Sequence, residues 1–319
     1  MNLSITNECN RRCEYCFQKS WYLANKKEDI KEMSLEDISR IIDMLGDEKH
    51  FKIMGGEPLL YSKLFDLLDL VREKEKEITF ISNITVQTDV LERILNDYSD
   101  VVKFWLINTD YPQSHRELFL KNLDLFRGRE NFAVSATLLP STEKVLEAAD
   151  RISELLNRID ARDKIKVRVS PTAPNHIDNV FYDYSLDIIA FLERLWVDGM
   201  CKVSFDCTLN ACEIHPEVMD MFDTYHNLIE YKNERCSGHG PFDILVTGSV
   251  IYCSSTYNTI RLENIFDYSS IKDAKHAMKL QWKKYWKKYP IVEKCKSCEK
   301  FNPAYCMGLC PAKNYLLYK

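Results

Sequence analysis

The chain has 319 residues, 45% of them hydrophobic and 29% charged, with a formal net charge of −5. That balance fits a soluble globular protein with one large and one smaller domain, and it excludes a membrane-spanning one, because no apolar run approaches the roughly 18 residues a span requires. The weak charge argues against nucleic acid as an obligatory partner, and cysteine, at 12 residues, is the outlier.

In chain order, the first predicted strand is NLSI (2–5), which follows Met1 at once and leaves no room for a signal peptide or an upstream accessory domain. A cytosolic location with reduced thiols is the expectation, which makes metal or iron-sulfur ligation the leading use of cysteine clusters. The stretch TNECNRRCEYCFQ (6–18) then offers Cys9, Cys13 and Cys16 as C-x3-C-x2-C. Structural zinc normally takes four protein ligands, and no fourth is near. An iron-sulfur cluster with one open iron fits three thiolates better.

A helix opened by Ser34, with Asp37 completing a capping-box pattern, puts Leu35, Ile38, Ile41, Ile42 and Leu45 on one face. The second strand, FKIM (51–54), runs into Gly55, Gly56, Glu57 and Pro58. Two glycines let a backbone approach a ligand closely, and Pro58 fixes the exit into the next helix. Further strands are expected at 78–82, 101–108, 132–138 and 164–170, followed by a helix bearing Ile188, Ile189, Leu192, Leu195 and Trp196. Strands alternating with helices make six βα units, so residues 1–200 read as a partial (β/α)6 TIM-like barrel. Ser82 and Asn83 end the third strand, and Asn108, Thr109 and Asp110 the fourth, with Arg116 just beyond; each is equally a cap or turn residue.

After about residue 200 the alternation stops, and nine of the 12 cysteines fall between Cys201 and Cys310. A second domain, 201–319, is expected there, with a hairpin of FDILV and SVIYC around Thr247 and Gly248. Cys201 reads as a buried structural thiol. WKKYWKKY (282–289) reads as an amphipathic helix with Trp282, Tyr285, Trp286 and Tyr289 opposite Lys283, Lys284, Lys287 and Lys288.

The three-cysteine loop, with Tyr15 before its last cysteine, and the GGEP turn on the next strand together resemble the radical SAM enzymes. The resemblance implies a 4Fe-4S cluster on Cys9, Cys13 and Cys16, whose open iron is chelated by S-adenosylmethionine. It implies that Gly55, Gly56, Glu57 and Pro58 hold the cofactor's amino group, with Glu57 as acceptor, and that Tyr15 lies in the cofactor site. Ser82, Asn83, Asn108 and Arg116 would hold its carboxylate or ribose, although the match to the S-x-D-G pattern is loose, with Asn108 for Ser and Tyr111 for Gly. The implied chemistry is reductive cleavage to a 5′-deoxyadenosyl radical that abstracts hydrogen from a substrate.

Cys236, Gly248 and Cys253 (C-x11-G-x4-C) with Cys295, Cys298, Cys306 and Cys310 (C-x2-C-x7-C-x3-C) resemble the SPASM extension and its auxiliary 4Fe-4S clusters. The x7 spacing departs from the extension's x5, and its final cysteine is absent. Cys207 and Cys212 bring the count to eight, divided either four and four or so as to leave an open auxiliary iron. Taken alone, the last four cysteines equally suit a zinc knuckle.

The resemblance implies a maturase of a ribosomally made peptide that forms a crosslink, thioether or epimer. A small-molecule dehydrogenase or epimerase on a sugar or aminocyclitol is the alternative. An anaerobic sulfatase maturase fits less well, because that family has Asp where this chain has Ser254, and a non-enzymatic zinc-binding module is the bland reading. Cys201 is a candidate hydrogen donor, and His176, Asp178 and His239 are candidate acids or bases. The lysine face would suit an acidic reductant of the flavodoxin or ferredoxin type, or an acidic peptide.

Overall fold

The structure, a computed structural model, describes residues 1–16, 30–171, 182–205, 214–231, 242–299 and 310–318. The chain forms two compact units, one of residues 1–125 and 240–285 and the other of 126–239 and 286–319.

In the first unit β1 (Asn2–Ser4), β2 (His50–Met54), β3 (Glu77–Ser82) and β4 (Val102–Asn108) are successive parallel neighbours. Phe51, Ile53, Ile78, Phe80 and Ile107 are wholly buried, as strands covered on both faces require. The crossovers are α1 (Leu35–Met44), α2 (Leu64–Glu73), α3 (Thr88–Asp97) and α4 (Arg116–Asp124). Ser34 caps α1 as expected: its Oγ accepts from the Asp37 N–H at 3.0 Å and donates to the Asp37 carboxylate at 2.9 Å. Ile38, Ile41 and Ile42 then face the sheet, wholly buried.

The expected hairpin forms from β9 (Asp243–Ile244) and β10 (Val250–Ile251), with Gly248 at φ +81° in the turn. It is no separate module. β9 lies parallel to β1, and β11 (Arg261–Leu262) pairs antiparallel with β10.

In the second unit β5 (Phe132–Leu138), β6 (Lys166–Pro171), β7 (Lys202–Phe205) and β8 (Ile229–Glu230) are again successive parallel neighbours. Here α5 (Thr142–Arg158), α6 (Ser185–Leu195) and α7 (Pro216–Thr224) intervene. The βα alternation therefore continues past residue 200, where the sequence reading ended it. KVSF is four residues long and β8 only two, so neither shows the period of a strand, and partners in the sheet decide them.

Three helices follow: α8 (Ile271–Lys288), α9 (Glu293–Lys296) and α10 (Pro311–Leu316). On α8 Tyr285 is buried, Trp282 and Trp286 are half-buried, and Lys283, Lys284, Lys287 and Lys288 are exposed, as the amphipathic reading expects. Among the described residues no helix is long and apolar enough to cross a membrane.

Candidate functional site

Four segments meet beyond the carboxyl ends of β1 to β4, where parallel α/β folds place their sites. The first is the cysteine loop. Past β1 the backbone stays extended long enough for the Ile5 N–H to donate to the Met54 carbonyl at 3.0 Å. The Gly56 N–H then donates to Thr6 O and the Glu57 N–H to Glu8 O, both at 2.8 Å. This zips the start of the cysteine loop onto the GGEP turn, and the glycines are what allow it. A Cβ on Gly55 would stand 2.5 Å from Thr6 O, and one on Gly56 2.2 Å from Glu8 O. On the side where a Cβ would stand, the glycines are thus packed against the chain's own loop.

Glu57 is wholly buried. Its Oε1 accepts from the Leu59 N–H at 3.1 Å and Ser82 Oγ at 2.7 Å, and its Oε2 from the Asn83 N–H at 2.7 Å. Burial pushes its pKa up, while the hydrogen bonds from Asn83, Ser82 and Leu59 oppose the shift. The carboxylate thus caps the 3₁₀ turn Pro58–Leu60, which Pro58 opens, and fastens the end of β2 to the end of β3. Ser82 Oγ in turn accepts from the Ile84 N–H at 2.9 Å, and Ile84 is held at φ +49°, a conformation a β-branched residue rarely adopts. Asn122 secures it, donating to Ile84 O at 2.6 Å and Val86 O at 2.8 Å.

Asn83 reaches back to the cysteine loop. Its Nδ2 donates to Asn10 Oδ1 at 3.0 Å and lies 4.0 Å from the Cys9 sulfur, while its Oδ1 accepts from the Thr85 N–H at 2.9 Å and from Thr85 Oγ1. Asn10 Nδ2 completes the link by donating to Thr85 O at 2.5 Å.

Arg11 ties in the fourth segment. Only 6% exposed, it donates through Nη1 to Asp110 O at 2.9 Å, Asn108 O at 3.3 Å and Asn108 Oδ1 at 3.4 Å, and through Nη2 to Asn83 O at 2.9 Å. Asn108 Oδ1 also accepts from the Asp110 N–H at 2.9 Å, so it serves as a turn residue and an anchor for Arg11. Arg116, at the start of α4, is half-buried.

Cys9 is exposed as a residue, and Cys13 and Cys16 are half-buried. Desolvation, the main cause, pushes Cys9 up to about 11 and also raises Cys13. Among the described residues no three Cys, His, Asp or Glu side chains stand together as a ready-made metal site. Soft sulfur donors suit iron-sulfur, and the Tyr15 hydroxyl is buried beside Asp110 and Cys13.

Cys201 is 2% exposed, immediately before β7 and so at the amino end of that strand; burial raises its thiol to about 11. Cys253 is half-buried and immediately precedes the turn Ser254–Thr256; Cys295 is buried in α9, Cys298 follows it, and Cys310 immediately precedes α10. Cys207, Cys212, Cys236, Cys306, His176, Asp178 and His239 lie outside the described residues. Sequence reasoning overlooked Arg11, Asn10 and Thr85. The one available signal was a pair of arginines inside a ligand loop, of which only Arg12 is exposed.

Residues 3–160 match the profile of the Radical SAM superfamily. Among curated proteins, the GTP 3′,8-cyclase of Campylobacter lari is 31% identical over 80 residues, 24% of this chain and 24% of that protein. An S-adenosylmethionine-dependent nucleotide dehydratase of Fibrobacter is 34% identical over 89 residues, 26% of each chain. The matched stretches thus span about a quarter of the relatives' length. Among solved structures, Streptococcus suis SuiB bound to its precursor peptide SuiA matches with TM-score 0.59 and 17% identity, covering 100% of this chain and 72% of that one. The likeness is one of fold: a mixed α/β chain with parallel strands like those of radical SAM TIM-like barrels.

Proposed function

We propose that the radical SAM domain of residues 3–160 is the core of an enzyme that holds a 4Fe-4S cluster on Cys9, Cys13 and Cys16 and binds S-adenosylmethionine beside it. The observation that carries this reading is the convergence of the cysteine loop, the GGEP turn and the ends of β3 and β4 through Glu57, Asn83 and Arg11. When bound, the two cofactors supply a 5′-deoxyadenosyl radical able to take hydrogen from an unactivated C–H bond. The chain's own residues position the site. Glu57 and Ser82 hold the turn whose Gly55–Pro58 backbone would meet the cofactor's amino group, Asn83 and Asn108 fix the neighbouring loops, and Tyr15 lies buried beside Asp110 and Cys13.

For the substrate we favour a ribosomally made peptide, with residues 201–319 supplying an auxiliary part. Cys207, Cys212, Cys236, Cys253, Cys295, Cys298, Cys306 and Cys310 would ligate further clusters there. Two points support this: the cysteine pattern, and a fold likeness to a peptide-bound protein that extends over the whole chain. A nucleotide or other small molecule is the second reading, favoured by the named activities of the relatives, whose matches cover only about a quarter of this chain.

Anaerobic reconstitution of the full chain tests the proposal. It should take up roughly twelve irons and cleave S-adenosylmethionine with dithionite, and Cys9→Ala/Cys13→Ala/Cys16→Ala should lose about four irons and all cleavage. Uptake of zinc alone would overturn it. Deuterium transfer into 5′-deoxyadenosine from labelled peptides, set against labelled GTP, separates the two substrate readings.

A further inference from the structure

We propose that Arg11 is the fixed counter-charge of the cluster held by Cys9, Cys13 and Cys16, a positioning residue that makes the cluster's one-electron reduction easier. The inference rests on the cluster reading above. It begins with an imbalance. Arg11 is 6% exposed, yet each hydrogen bond of its guanidinium goes to a neutral oxygen: the carbonyls of Asn83, Asn108 and Asp110 and the side-chain amide of Asn108. Its Nε, also buried, has no partner. The Phe119 ring lies 5.6 Å from the guanidinium carbon, and the nearby carboxyl groups of Glu57 and Asp110 act on its charge without an ion-pair contact.

A guanidinium withdrawn from water without a bound carboxylate is costly unless negative charge arrives nearby. Arg11 lies between two of the three predicted ligands, its own N–H is 3.4 Å from the Cys9 sulfur, and its charge acts on Cys13. By formal count, three thiolates on an oxidised 4Fe-4S core leave one net negative charge, and one electron from a low-potential reductant makes it two. A fixed cation in a poorly solvated site favours the more negative state. Arg12, next in the chain, is exposed, so water and salt screen its charge.

The test compares wild type, Arg11→Gln, Arg11→Lys and Arg12→Gln, each as the full reconstituted chain without substrate. The readouts are iron per chain and an EPR-monitored redox titration of the signal missing from Cys9→Ala/Cys13→Ala/Cys16→Ala. At a fixed ambient potential, Arg11→Gln should lower the ratio of reduced to oxidised cluster about tenfold, while Arg11→Lys and Arg12→Gln stay near wild type. A ratio unchanged in Arg11→Gln overturns the inference. So does loss of the signal in both Arg11 variants, because the fork's geometry and not its charge would then be what the loop needs. A wild type that shows no cysteine-dependent signal would instead overturn the cluster reading itself.

Discussion

A Cβ at Gly56 would fall 2.2 Å from a carbonyl oxygen of the cysteine loop, so the loop can lie there only against glycine. Legible in the sequence were the chemical types: three thiols, a glycine pair, a carboxylate. Which of them face a ligand and which face each other was not, because a loop lacks the periodicity that sorts sides in a helix or strand. Arg11 and Arg12 show the limit, adjacent and identical in type, one buried and one exposed. Gly56→Ala should therefore destabilise the chain by about 2–4 kcal/mol and reduce iron uptake, since the obstacle is backbone that has nowhere to go. Gly46→Ala is the control. With φ +57° and nothing within 4 Å of its would-be Cβ, it should cost only about 1–2 kcal/mol, measured by denaturant unfolding.

Among elements, the long strands and the capped helix α1 were readable because apolar runs and a Ser34–Asp37 cap are local signals. The edge beyond β1 was not, because β9 is two residues long and comes from some 240 residues further along. There Asn2 and Asp243 face each other across the parallel pair, and Asn2 Nδ2 donates to Asp243 Oδ1 at 2.7 Å. Burial raises the Asp243 carboxyl to about 7, against weaker opposing effects of Asn2 and Lys52. Since the folded pKa lies above the unfolded one, the folded state binds the extra proton between about pH 4 and 7. Stability from this group is full below about pH 4 and falls as pH rises toward 7, by up to about 4 kcal/mol. Asp243→Asn should flatten that part of the stability profile in urea melts at graded pH, and a profile still falling as steeply would show that another group is responsible.

For the whole molecule, charge is unevenly placed: α8 carries seven lysines and one aspartate in a chain whose net charge is −5. Reversing Lys283, Lys284, Lys287 and Lys288 to Glu should slow reduction by an acidic flavodoxin about tenfold at low salt and leave reduction by dithionite unchanged. Raising the ionic strength should erase the difference, and a rate indifferent to both changes would remove this face as a docking surface. The sequence by itself determined the cysteine and GGEP pattern of a radical SAM domain and the parallel βα plan, because motif spacing and apolar period are written over a few residues each. Tertiary structure alone decided that the cysteine loop packs against the GGEP glycines, that Glu57 joins two strands, that the sheet continues past residue 200, and that Arg11 and not Arg12 is buried. Each of those depends on which distant backbone comes within hydrogen-bonding reach, and no local pattern carries that distance.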